Sequence, residues 1–453
     1  MIIHIDALRS DYARYVSSAL GSDWLVYKEV YTPLYGTDPV VTTVFTGMYP
    51  VRHGILRHGP WVTGTETMLL RLRTRDNWLP EVLASNGYET MAYDILGRWH
   101  RRGFKRYIEL PALRHGLIKL SYVAKHAALR ASRKIAHAFF RNPPTPYPPV
   151  ITILGQVLRG LKGAKKPFLA FVHIWDTHTP YLVTHCSPKR RPGTPLSVLL
   201  EKVIDEQWRR YLRDLVAWGA HTIEDIIERY QAAACSVGEA LRLFIDKLRD
   251  TGLYDDTLII IYSDHGESLG EHGAFFDHHT VHEEVIRSFL AIKPAGREEP
   301  IMLNRVSLVD VAPTIFGILR VSGAIDEELY RRLSRRWDGL DLSLPNAPDM
   351  DGNRVLYFGM VADKPGLDTL FGIIAGSWKY IESFMHNRPE KCPRCGSKHH
   401  DQRELFKIDR DPGEKQNLVE EEREIAQRLR ELLLRHLRSA RHPELDKIIT
   451  QVL

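Results

Sequence analysis

Three short apolar segments constrain the fold of this 453-residue chain more than any other feature. The segments are Met1 to Ile5, which leads into Asp6; Phe168 to Trp175, which leads into Asp176; and Thr257 to Tyr262, which leads into Ser263 and Asp264. Short, continuously apolar segments are typical of buried parallel strands, and ligands of such sheets bind beyond the carboxyl ends of the strands. We therefore predict an α/β fold with a mostly parallel central sheet, covered by helices on both faces, and one site where the three acids meet. Each Asp taken alone is more often a helix N-cap.

Helical patterns separate these strands, and the C-terminal part of the chain differs from the rest. Leu79 to Asn86 and most of Glu201 to Leu248 have helical periodicity. From about Arg354, strand-like runs alternate with turns, and a helix is expected from about Val419 to Ala440. The strand-like runs are Val355 to Phe358, Leu370 to Ala375 and Lys379 to Phe384. We therefore predict one domain over residues 1–353 and a smaller C-terminal α+β domain over residues 354–453.

The net charge of +6 is unevenly distributed. Residues 110–200 contain fourteen Lys or Arg residues and one acid, Asp176, so the whole positive excess lies there. Such a segment indicates an anionic partner or a solvated basic face. We predict a basic helical insertion at about residues 110–165, with an amphipathic helix over Ala112 to Arg141. This helix could cover a polyanionic substrate, contact anionic lipid at a membrane surface, or pack on the core with a basic outer face.

Two features bear on the cellular compartment. No apolar run approaches the roughly 20 residues needed to span a bilayer, and the first residues lack the basic start and apolar run of a secretory signal. We therefore expect no transmembrane segment and a cytoplasmic location. The four cysteines, Cys186, Cys235, Cys392 and Cys395, are too few for a disulfide scaffold in a chain of this size.

Two longer motifs carry a family resemblance. Tyr35 to Ile55 reads YGTDPVVTTVFTGMYPVRHGI, and Ser263 to Gly273 reads SDHGESLGEHG. Four shorter segments accompany them: His4 to Asp11, Trp175 to Tyr181, Val306 to Leu319 and Glu404 to Leu418. Together they resemble the sulfatase family of the alkaline phosphatase superfamily along most of the chain. The resemblance implies an alkaline phosphatase-like fold, with the catalytic domain over residues 1–353.

The chain departs from this family at the position of the nucleophile. Sulfatases carry Cys or Ser in a Cys-x-Pro-x-Arg motif, and this residue is oxidised to formylglycine. The corresponding segment reads Thr37-Asp38-Pro39-Val40-Val41, so both the Cys or Ser and the Arg are absent. Because threonine carries a methyl group on Cβ, the same oxidation cannot give an aldehyde. Threonine here resembles the phosphodiesterase and phosphotransferase branches of the superfamily; the alternative is an ordinary turn residue before Pro39.

A hydroxyl nucleophile needs a base or a metal ion to activate it near neutral pH. The resemblance implies a ligand set for such an ion, formed by Asp6, Asp264, His265 and the hydroxyl of Thr37. Carboxylates with one imidazole suit Mn, Zn, Ca or Mg, and the sequence does not select among them. We therefore predict a divalent metal ion at the active site.

The resemblance also implies a residue beside the leaving group. His178 lies in an Asp-x-His-x-Pro motif and is expected to protonate the leaving oxygen or to bind the anion, a role that suits histidine. Asp176 could orient His178, bind substrate or hold a second metal ion, although the Asp-x-His spacing favours one metal. A surface polar turn is the alternative for His178.

Two weaker motifs supply further candidates. Gly97-Arg98-Trp99-His100 resembles the family's Gly-Lys-Trp-His, whose Lys and His contact the transferred group. Arg98 is expected to bind an oxyanion in a bidentate fashion and His100 to be catalytic, unless the motif is a basic helix start. His278 and His279 both fall where the family carries a Lys or His that contacts substrate.

A Cys-x-x-Cys turn lies outside these motifs. Cys392 and Cys395 are followed by His399 and His400, and such a set can close a tetrahedral structural zinc site. We predict a zinc knuckle over residues 392–400; a redox-active or unpaired thiol pair is the alternative, because only one such turn is present.

These inferences combine into one functional hypothesis. We expect a metal-dependent hydrolase in which Thr37 attacks an anionic small-molecule, lipid or glycan ester, with phosphodiester-type esters preferred to sulfate esters. The alternatives are a sulfate ester hydrolase that uses Thr37 directly and a phosphotransferase acting on a lipid or glycan head group at a membrane surface. Binding of nucleic acid alone would not require the metal ligands, so the sequence argues against it.

Overall fold

A computed structural model describes most of the chain. The described residues are 1–110, 147–203, 205–217, 219–295, 303, 305–344, 354–362, 367–385, 392 and 398–452. The predicted basic helix, Ala112 to Arg141, and the predicted zinc ligand Cys395 lie outside the described residues.

A seven-stranded, mostly parallel sheet forms the centre of the fold. The described strands are β1 (Ile2–Ile5), β2 (Leu25–Val26), β3 (Glu29–Tyr31), β4 (Glu89–Asp94), β5 (Arg106–Glu109), β6 (Phe168–Ile174), β7 (Ile259–Ser263), β8 (Ser268–Leu269), β9 (Phe275–Asp277), β10 (Arg287–Ser288), β11 (Leu290–Lys293), β12 (Arg305–Ser307), β13 (Leu356–Met360), β14 (Leu370–Ala375), β15 (Trp378–Ser383) and β16 (Arg403–Lys407). The central sheet has the order β2-β11-β7-β1-β6-β4-β5. Neighbours from β7 to β5 pair in parallel, whereas β11 is antiparallel to β7 and to β2.

Helices connect these strands. The described helices are α1 (Arg14–Ser17), α2 (Thr37–Thr46), α3 (Pro50–His53), α4 (Gly64–Arg73), α5 (Leu79–Ser85), α6 (Val150–Leu161), α7 (Leu196–Lys202), α8 (Glu206–Ala217), α9 (Ile223–Asp250), α10 (Glu283–Ile286), α11 (Val311–Val321), α12 (Glu327–Ser334), α13 (Arg423–Ser439) and α14 (Pro443–Val452). In the described part of the chain, no helix combines the length and apolar character needed to cross a bilayer.

The three apolar segments are neighbouring parallel strands, as predicted. In β1, Ile5 pairs with Ser263 of β7 on one side and with Ile174 of β6 on the other. The residue after each strand therefore emerges at the same edge of the sheet. This register places Asp6 level with Asp264, and it explains why residues far apart in the chain form one site.

Alternate residues of the central strands face two different hydrophobic cores. Ile2 of β1 and Ile260 of β7 belong to one core, whereas Ile3 and Ile261 belong to the other. Side chains of successive strand residues point to opposite faces of a sheet, so both faces are covered. This double burial explains why the strands are continuously apolar rather than alternating.

The C-terminal part is a four-stranded antiparallel meander, β13-β14-β15-β16, with α13 packed on it. The three predicted strand-like runs correspond to β13, β14 and β15, and the predicted last helix corresponds to α13. Side chains of this sheet join the same core as α2, since Phe45 and Leu370 belong to one cluster. The predicted boundary near residue 353 stays a prediction.

A disulfide connects Cys186 to Cys235 of α9. The sequence did not predict it, because two cysteines 49 residues apart give no spacing signal. Disulfides persist mainly in oxidising compartments, whereas the location expected from the sequence is the cytoplasm. The location of the protein stays a prediction.

Candidate active site

Asp6, Asp264 and His265 form a buried cluster at the carboxyl edge of β1 and β7. One ligand atom from each residue lies within 4.8 Å of the others. His265 Nε2 is 3.7 Å from Asp6 Oδ1 and 3.4 Å from Asp264 Oδ2. Each of the three side chains is at most 1% exposed, so two carboxylates and an imidazole face one another away from water.

The donor atoms of this cluster fit a divalent cation. Asp6 Oδ1, Asp264 Oδ2 and His265 Nε2 have no hydrogen-bond partner among the described residues. Buried polar atoms are nearly always hydrogen-bonded, so three such atoms in one place require an explanation. His265 Nδ1 donates to the carbonyl of Gly266 at 2.7 Å, which leaves the lone pair on Nε2. Carboxylate and imidazole donors arranged in this way are suited to bind a metal ion.

Electrostatics keep both carboxylates ionised. Burial opposes the ionisation of Asp264, but His265 and His4 outweigh it and hold the pKa of Asp264 well below its usual range. Burial and Asp264 oppose the ionisation of Asp6 in the same way, but His178 and His173 outweigh them and lower its pKa. Two anionic carboxylates side by side attract a cation strongly.

Two buried histidines behind the cluster orient its carboxylates, and sequence reasoning missed both. His173 bridges two carboxylates: its Nε2 is 3.2 Å from Asp6 Oδ2 and its Nδ1 is 2.8 Å from Asp94 Oδ1. His4 Nε2 is 3.3 Å from Asp264 Oδ1. Burial would lower the pKa of His173, but Asp6 and Asp94 raise it to about 10. In the sequence, His4 and His173 each appear as a polar residue inside an otherwise apolar strand.

Thr37 is the first residue of α2 and is only 4% exposed. Its neighbours on both sides contact the rest of the site. The ring of Tyr35 lies 5.9 Å from His278, which stacks on His265 at 4.3 Å. On the other side, the carboxylate of Asp38 contacts further candidate residues. Thr37 therefore lies between these two groups, at a helix N-terminus whose partial positive charge favours an anion.

Asp38 is the centre of a second polar cluster. Its carboxylate accepts the Gly59 N–H at 2.7 Å, contacts His58 Nδ1 at 3.0 Å and forms an ion pair with Arg98. His100 Nδ1 lies 3.6 Å away. Burial would raise the pKa of Asp38, but His58, His100 and Arg98 lower it. Asp38 therefore stays anionic and orients a guanidinium and an imidazole beside Thr37.

The predicted pair Arg98 and His100 lies on this cluster, but in different surroundings. The Arg98 side chain keeps 37% of its surface exposed, whereas that of His100 is fully buried. Burial lowers the pKa of His100 to about 4, so this imidazole is neutral. Sequence reasoning did not identify Asp38 or His58, although Asp38 directly follows the candidate nucleophile.

His178 lies near the cluster of Asp6, Asp264 and His265, whereas Asp176 contacts a helix. The His178 ring stacks on Trp175 at 3.9 Å and lies 5.6 Å from the His278 ring. Burial lowers the pKa of His178, although Asp6 opposes this shift. The Nδ1–H of His178 can donate to the carbonyl of Thr179 at 3.1 Å, which leaves Nε2 as the basic nitrogen.

Asp176 is bound to a helix instead. Both of its oxygens lie 3.0 Å from the backbone N of Val150, the first residue of α6. This contact satisfies a helix N-terminal N–H that has no partner within the helix, and burial raises the pKa of Asp176 to about 7. The contacts fit the helix-capping alternative rather than the predicted binding of substrate or a second metal ion.

His278 and His279 both lie at the site, in different contacts. His278 stacks on His265, and the Nδ1 of His279 contacts Asp277. Near them, Glu267 is fully buried and neither of its oxygens has a hydrogen-bond partner within the described ranges. Burial raises the pKa of Glu267 to about 8. Glu267 is a further candidate that the motif SDHGE contained but that our sequence reasoning did not identify.

The predicted zinc knuckle is described only in part. His399 Nδ1 contacts the carbonyl of His272 at 3.0 Å. His400 instead lies with Nδ1 at 3.2 Å from the Asp401 carbonyl and Nε2 at 3.5 Å from Asp368. Because Cys395 lies outside the described residues, a four-ligand site including Cys392 stays a prediction.

An aromatic cleft of about 510 Å³ opens beside the Asp38 cluster. Its walls include Trp99, Trp175, Tyr147, His58 and Arg98. Tyr147 and Trp175 contact each other with ring centroids 4.5 Å apart. The cleft thus combines flat apolar faces with two cationic groups, an arrangement that suits an anionic group attached to a ring.

The doubly covered parallel sheet, with a buried cluster of Asp6, Asp264 and His265 at its carboxyl edge, is typical of the alkaline phosphatase-like class. A family model described as Sulfatase matches residues 11–321, more than half of the chain. The chain belongs to the sulfatase family.

Relatives and solved structures agree with this assignment. The chain is 23% identical over 326 residues to an ulvan-active sulfatase of Formosa agariphila, covering 68% of this chain and 58% of that protein. It is 30% identical over 195 residues to a choline-sulfatase of Rhizobium meliloti, covering 43% of this chain and 33% of that protein. The matched regions therefore span only part of the length of both relatives.

Two solved structures share the fold along almost the whole chain. One is a protein in complex with its substrate D-glucosamine-2-N,6-O-disulfate, with a TM-score of 0.64, 15% identity, and coverage of 97% of both chains. The other is a phosphonate monoester hydrolase from Silicibacter pomeroyi, with a TM-score of 0.60, 18% identity, and coverage of 98% of this chain and 95% of that chain. At these identities the likeness concerns the fold.

Proposed function

We propose that this protein is a metal-dependent hydrolase of esters with a single negative charge, in which Thr37 is the nucleophile. The observation that carries the proposal is the convergence of three buried donor atoms without hydrogen-bond partners among the described residues, on Asp6, Asp264 and His265. Tyr35, two residues before Thr37, contacts His278, which stacks on His265. Binding alone would not require such a buried set of ligands.

A divalent cation held by Asp6, Asp264 and His265 would supply Lewis acidity, which lowers the pKa of a neighbouring hydroxyl and neutralises charge on the ester. The residues of the chain perform the remaining tasks. His4 and His173 fix the orientation of the two carboxylates. Arg98 and His58, held by Asp38, orient the non-bridging oxygens of the substrate.

The reaction proceeds in two substitutions. Thr37 Oγ forms a bond to phosphorus or sulfur while the bond to the leaving oxygen breaks. The basic Nε2 of His178 accepts the hydroxyl proton of Thr37 and passes it to the leaving oxygen. Water then attacks the threonyl ester, releases the acid product and restores the hydroxyl of Thr37. In this second step the basic Nε2 of His178 accepts a proton from water.

The charges of the site favour a monoanionic ester over a dianionic one. Asp38 places one negative charge between Arg98 and His58, so the positive charge left for the substrate is small. Both phosphodiesters and sulfate monoesters carry one negative charge. A phosphate monoester dianion would meet less compensating charge here.

Between these two esters we favour the phosphodiester type. Thr37 cannot form the aldehyde on which formylglycine sulfatases depend, and a threonyl phosphoester is resolved by ordinary attack of water. A sulfate ester is the second candidate, because the curated relatives are named an ulvan-active sulfatase and a choline-sulfatase. The aromatic cleft suits a sugar ring or another flat group in either case. The phosphotransferase alternative depends on residues 112–141, which lie outside the described part.

The test compares nitrophenyl esters as substrates of the metal-reconstituted protein. The sulfate, the phosphate monoester and the phosphodiester are compared for the natural sequence and for Thr37→Ala and Thr37→Ser. We expect the diester to be preferred, Thr37→Ala to lower kcat/KM by on the order of 10³-fold or more, and Thr37→Ser to retain most activity as the matched control. A preference for the sulfate would favour the second candidate. Equal activity of Thr37→Ala and the natural protein would refute Thr37 as the nucleophile.

A further inference from the structure

A second cluster of metal-binding side chains lies apart from the active-site residues. It comprises His272 in the turn before β9, His282 and Glu284 around the start of α10, and Glu404 in β16. One ligand atom each from His272, His282 and Glu284 lies within 4.8 Å of the others. The two imidazole rings stack in parallel, with centroids 3.7 Å apart. None of these residues belongs to the site built on Asp6.

Two atoms of this cluster lack hydrogen-bond partners. His282 is 1% exposed and Glu404 is 5% exposed. His282 Nε2 and Glu404 Oε2 lie 3.3 Å apart, yet neither has a hydrogen bond to any described residue. Their other ends are fixed, since His282 Nδ1 lies 2.7 Å from Thr280 Oγ1 and Glu404 Oε1 accepts the Asp401 N–H at 2.8 Å. Their unpartnered atoms are therefore held close together inside the protein.

The lysine beside this cluster neutralises other carboxylates. Lys379, on β15, is paired with Glu283 at 3.2 Å and with Glu414 at 2.6 Å. Glu284 Oε2 lies 3.9 Å from His272 Nε2. Buried carboxylates require a compensating positive charge. A single divalent ion bound by these side chains would supply that charge and occupy the lone pairs of both imidazoles.

We propose that His272, His282, Glu284 and Glu404 bind a structural metal ion of the zinc class. Two imidazoles with carboxylates suit Zn²⁺ or a similar first-row ion better than Ca²⁺ or Mg²⁺, which prefer oxygen ligands. The ion would join β16 of the C-terminal sheet to residues 282–285. The backbone just after His265 contacts the same residues, since the Gly266 N–H donates to the Val285 carbonyl at 2.8 Å.

The test is the metal content of the zinc-reconstituted full-length protein after removal of free metal, measured by mass spectrometry of the elements. We expect one zinc ion per chain in the active site and one in this cluster, besides the ion of the predicted zinc knuckle. Asp264→Asn, which empties the active site, and His282→Ala should each remove about one ion. Glu404→Gln keeps the shape of the side chain and serves as the variant least prone to misfold; it should also lose one ion. His221→Ala, which removes an exposed imidazole, should keep both.

Combining Asp264→Asn with His282→Ala should remove both of these ions. Two results would overturn the proposal: a natural protein with only one ion, which Asp264→Asn removes, or a second ion that survives His282→Ala and Glu404→Gln. Cys392→Ser distinguishes the predicted zinc knuckle, because it should leave both ions in place here and remove one if the cysteines hold it. Thr37→Ala should not change the content of the second site, so failure of the proposed reaction would leave this inference standing.

Discussion

His173 lies between Asp6 and Asp94, and its contacts fix the orientation of the Asp6 carboxylate. Its two nitrogens bridge the carboxylates within 3.2 Å. One oxygen of Asp6 is thereby fixed, and the other is left for a cation. Residues that orient a ligand in this way affect metal affinity although they do not touch the ion.

We expect His173→Gln to weaken binding of the active-site metal by about 10- to 100-fold. The amide keeps one hydrogen bond but cannot bridge both carboxylates, so Asp6 loses its fixed orientation. Competition with a metal-binding dye measures the affinity directly, with His221→Ala as the exposed control. An affinity equal to that of the natural protein would show that His173 serves packing alone.

The sequence predicts only those site residues whose place follows from the pattern of strands. Asp6, Asp264 and His265 follow apolar strands, so their convergence follows from parallel pairing. His4 and His173 look like ordinary strand residues until their partners are known, and His4 contacts Asp264, 260 residues further on. Asp176 also follows an apolar strand, but one position further on than Asp6, since Ile5 pairs with Ile174. Its contact with α6 could not be foreseen from that pattern.

At the scale of elements, α2 and α3 are joined by a buried histidine. His53, the last residue of α3, accepts the Ile55 N–H on Nδ1 at 3.1 Å, and its Nε2 lies 3.2 Å from the Pro39 carbonyl. The Ile55 contact requires an unprotonated Nδ1, and therefore the neutral imidazole. Burial, together with Arg73 and His442, lowers the pKa of His53 to about 3.

This shift predicts a pH-dependent stability. Because the folded pKa of His53 lies below the ordinary value of about 6.5, the unfolded chain binds a proton below that pH and the folded chain does not. The free energy of unfolding should therefore fall as the pH drops below 6.5, by about 1–2 kcal/mol between pH 6.5 and 5 from this group. Urea unfolding of the natural protein and His53→Gln at several pH values measures the difference. Equal slopes for the two proteins would contradict the assignment.

Three strands of the central sheet, β1, β6 and β7, were predictable because their burial on both faces leaves continuous apolar runs. Strands β13, β14 and β15 were predicted to within one or two residues, whereas β2, β4, β5, β11 and β16 were not identified. The disulfide between Cys186 and Cys235 depends on how a loop meets α9, which no local pattern encodes. The role of the predicted basic helix stays a prediction.

At the scale of the whole molecule, the C-terminal sheet and the central sheet share one hydrophobic core. Phe45 of α2, Phe171 of β6, Leu370 of β14 and Leu433 of α13 belong to the same cluster, and Leu433 is fully buried. A shared core means that neither part can lose its packing without exposing the other.

We expect Leu433→Ala to lower the free energy of unfolding by about 2–5 kcal/mol. Because the core is shared, calorimetry should show one transition that moves to lower temperature as a whole, with metal binding at the active site lost in the same transition. Two separate peaks, of which only one moves, would mean that the C-terminal part unfolds independently.

The position of β1 in the sheet determines how late in synthesis the active site can form. β1 is made before its partners, yet it lies between β6 and β7 in the finished sheet. A nascent chain on the ribosome therefore carries Asp6 without Asp264 and His265 until about 260 further residues have been added. One edge of β1 stays unpaired until β6 has been made and the other until β7 has been made. Exposed strand edges of this kind promote association with other chains. Half-made chains should consequently depend on chaperones more than the finished protein does.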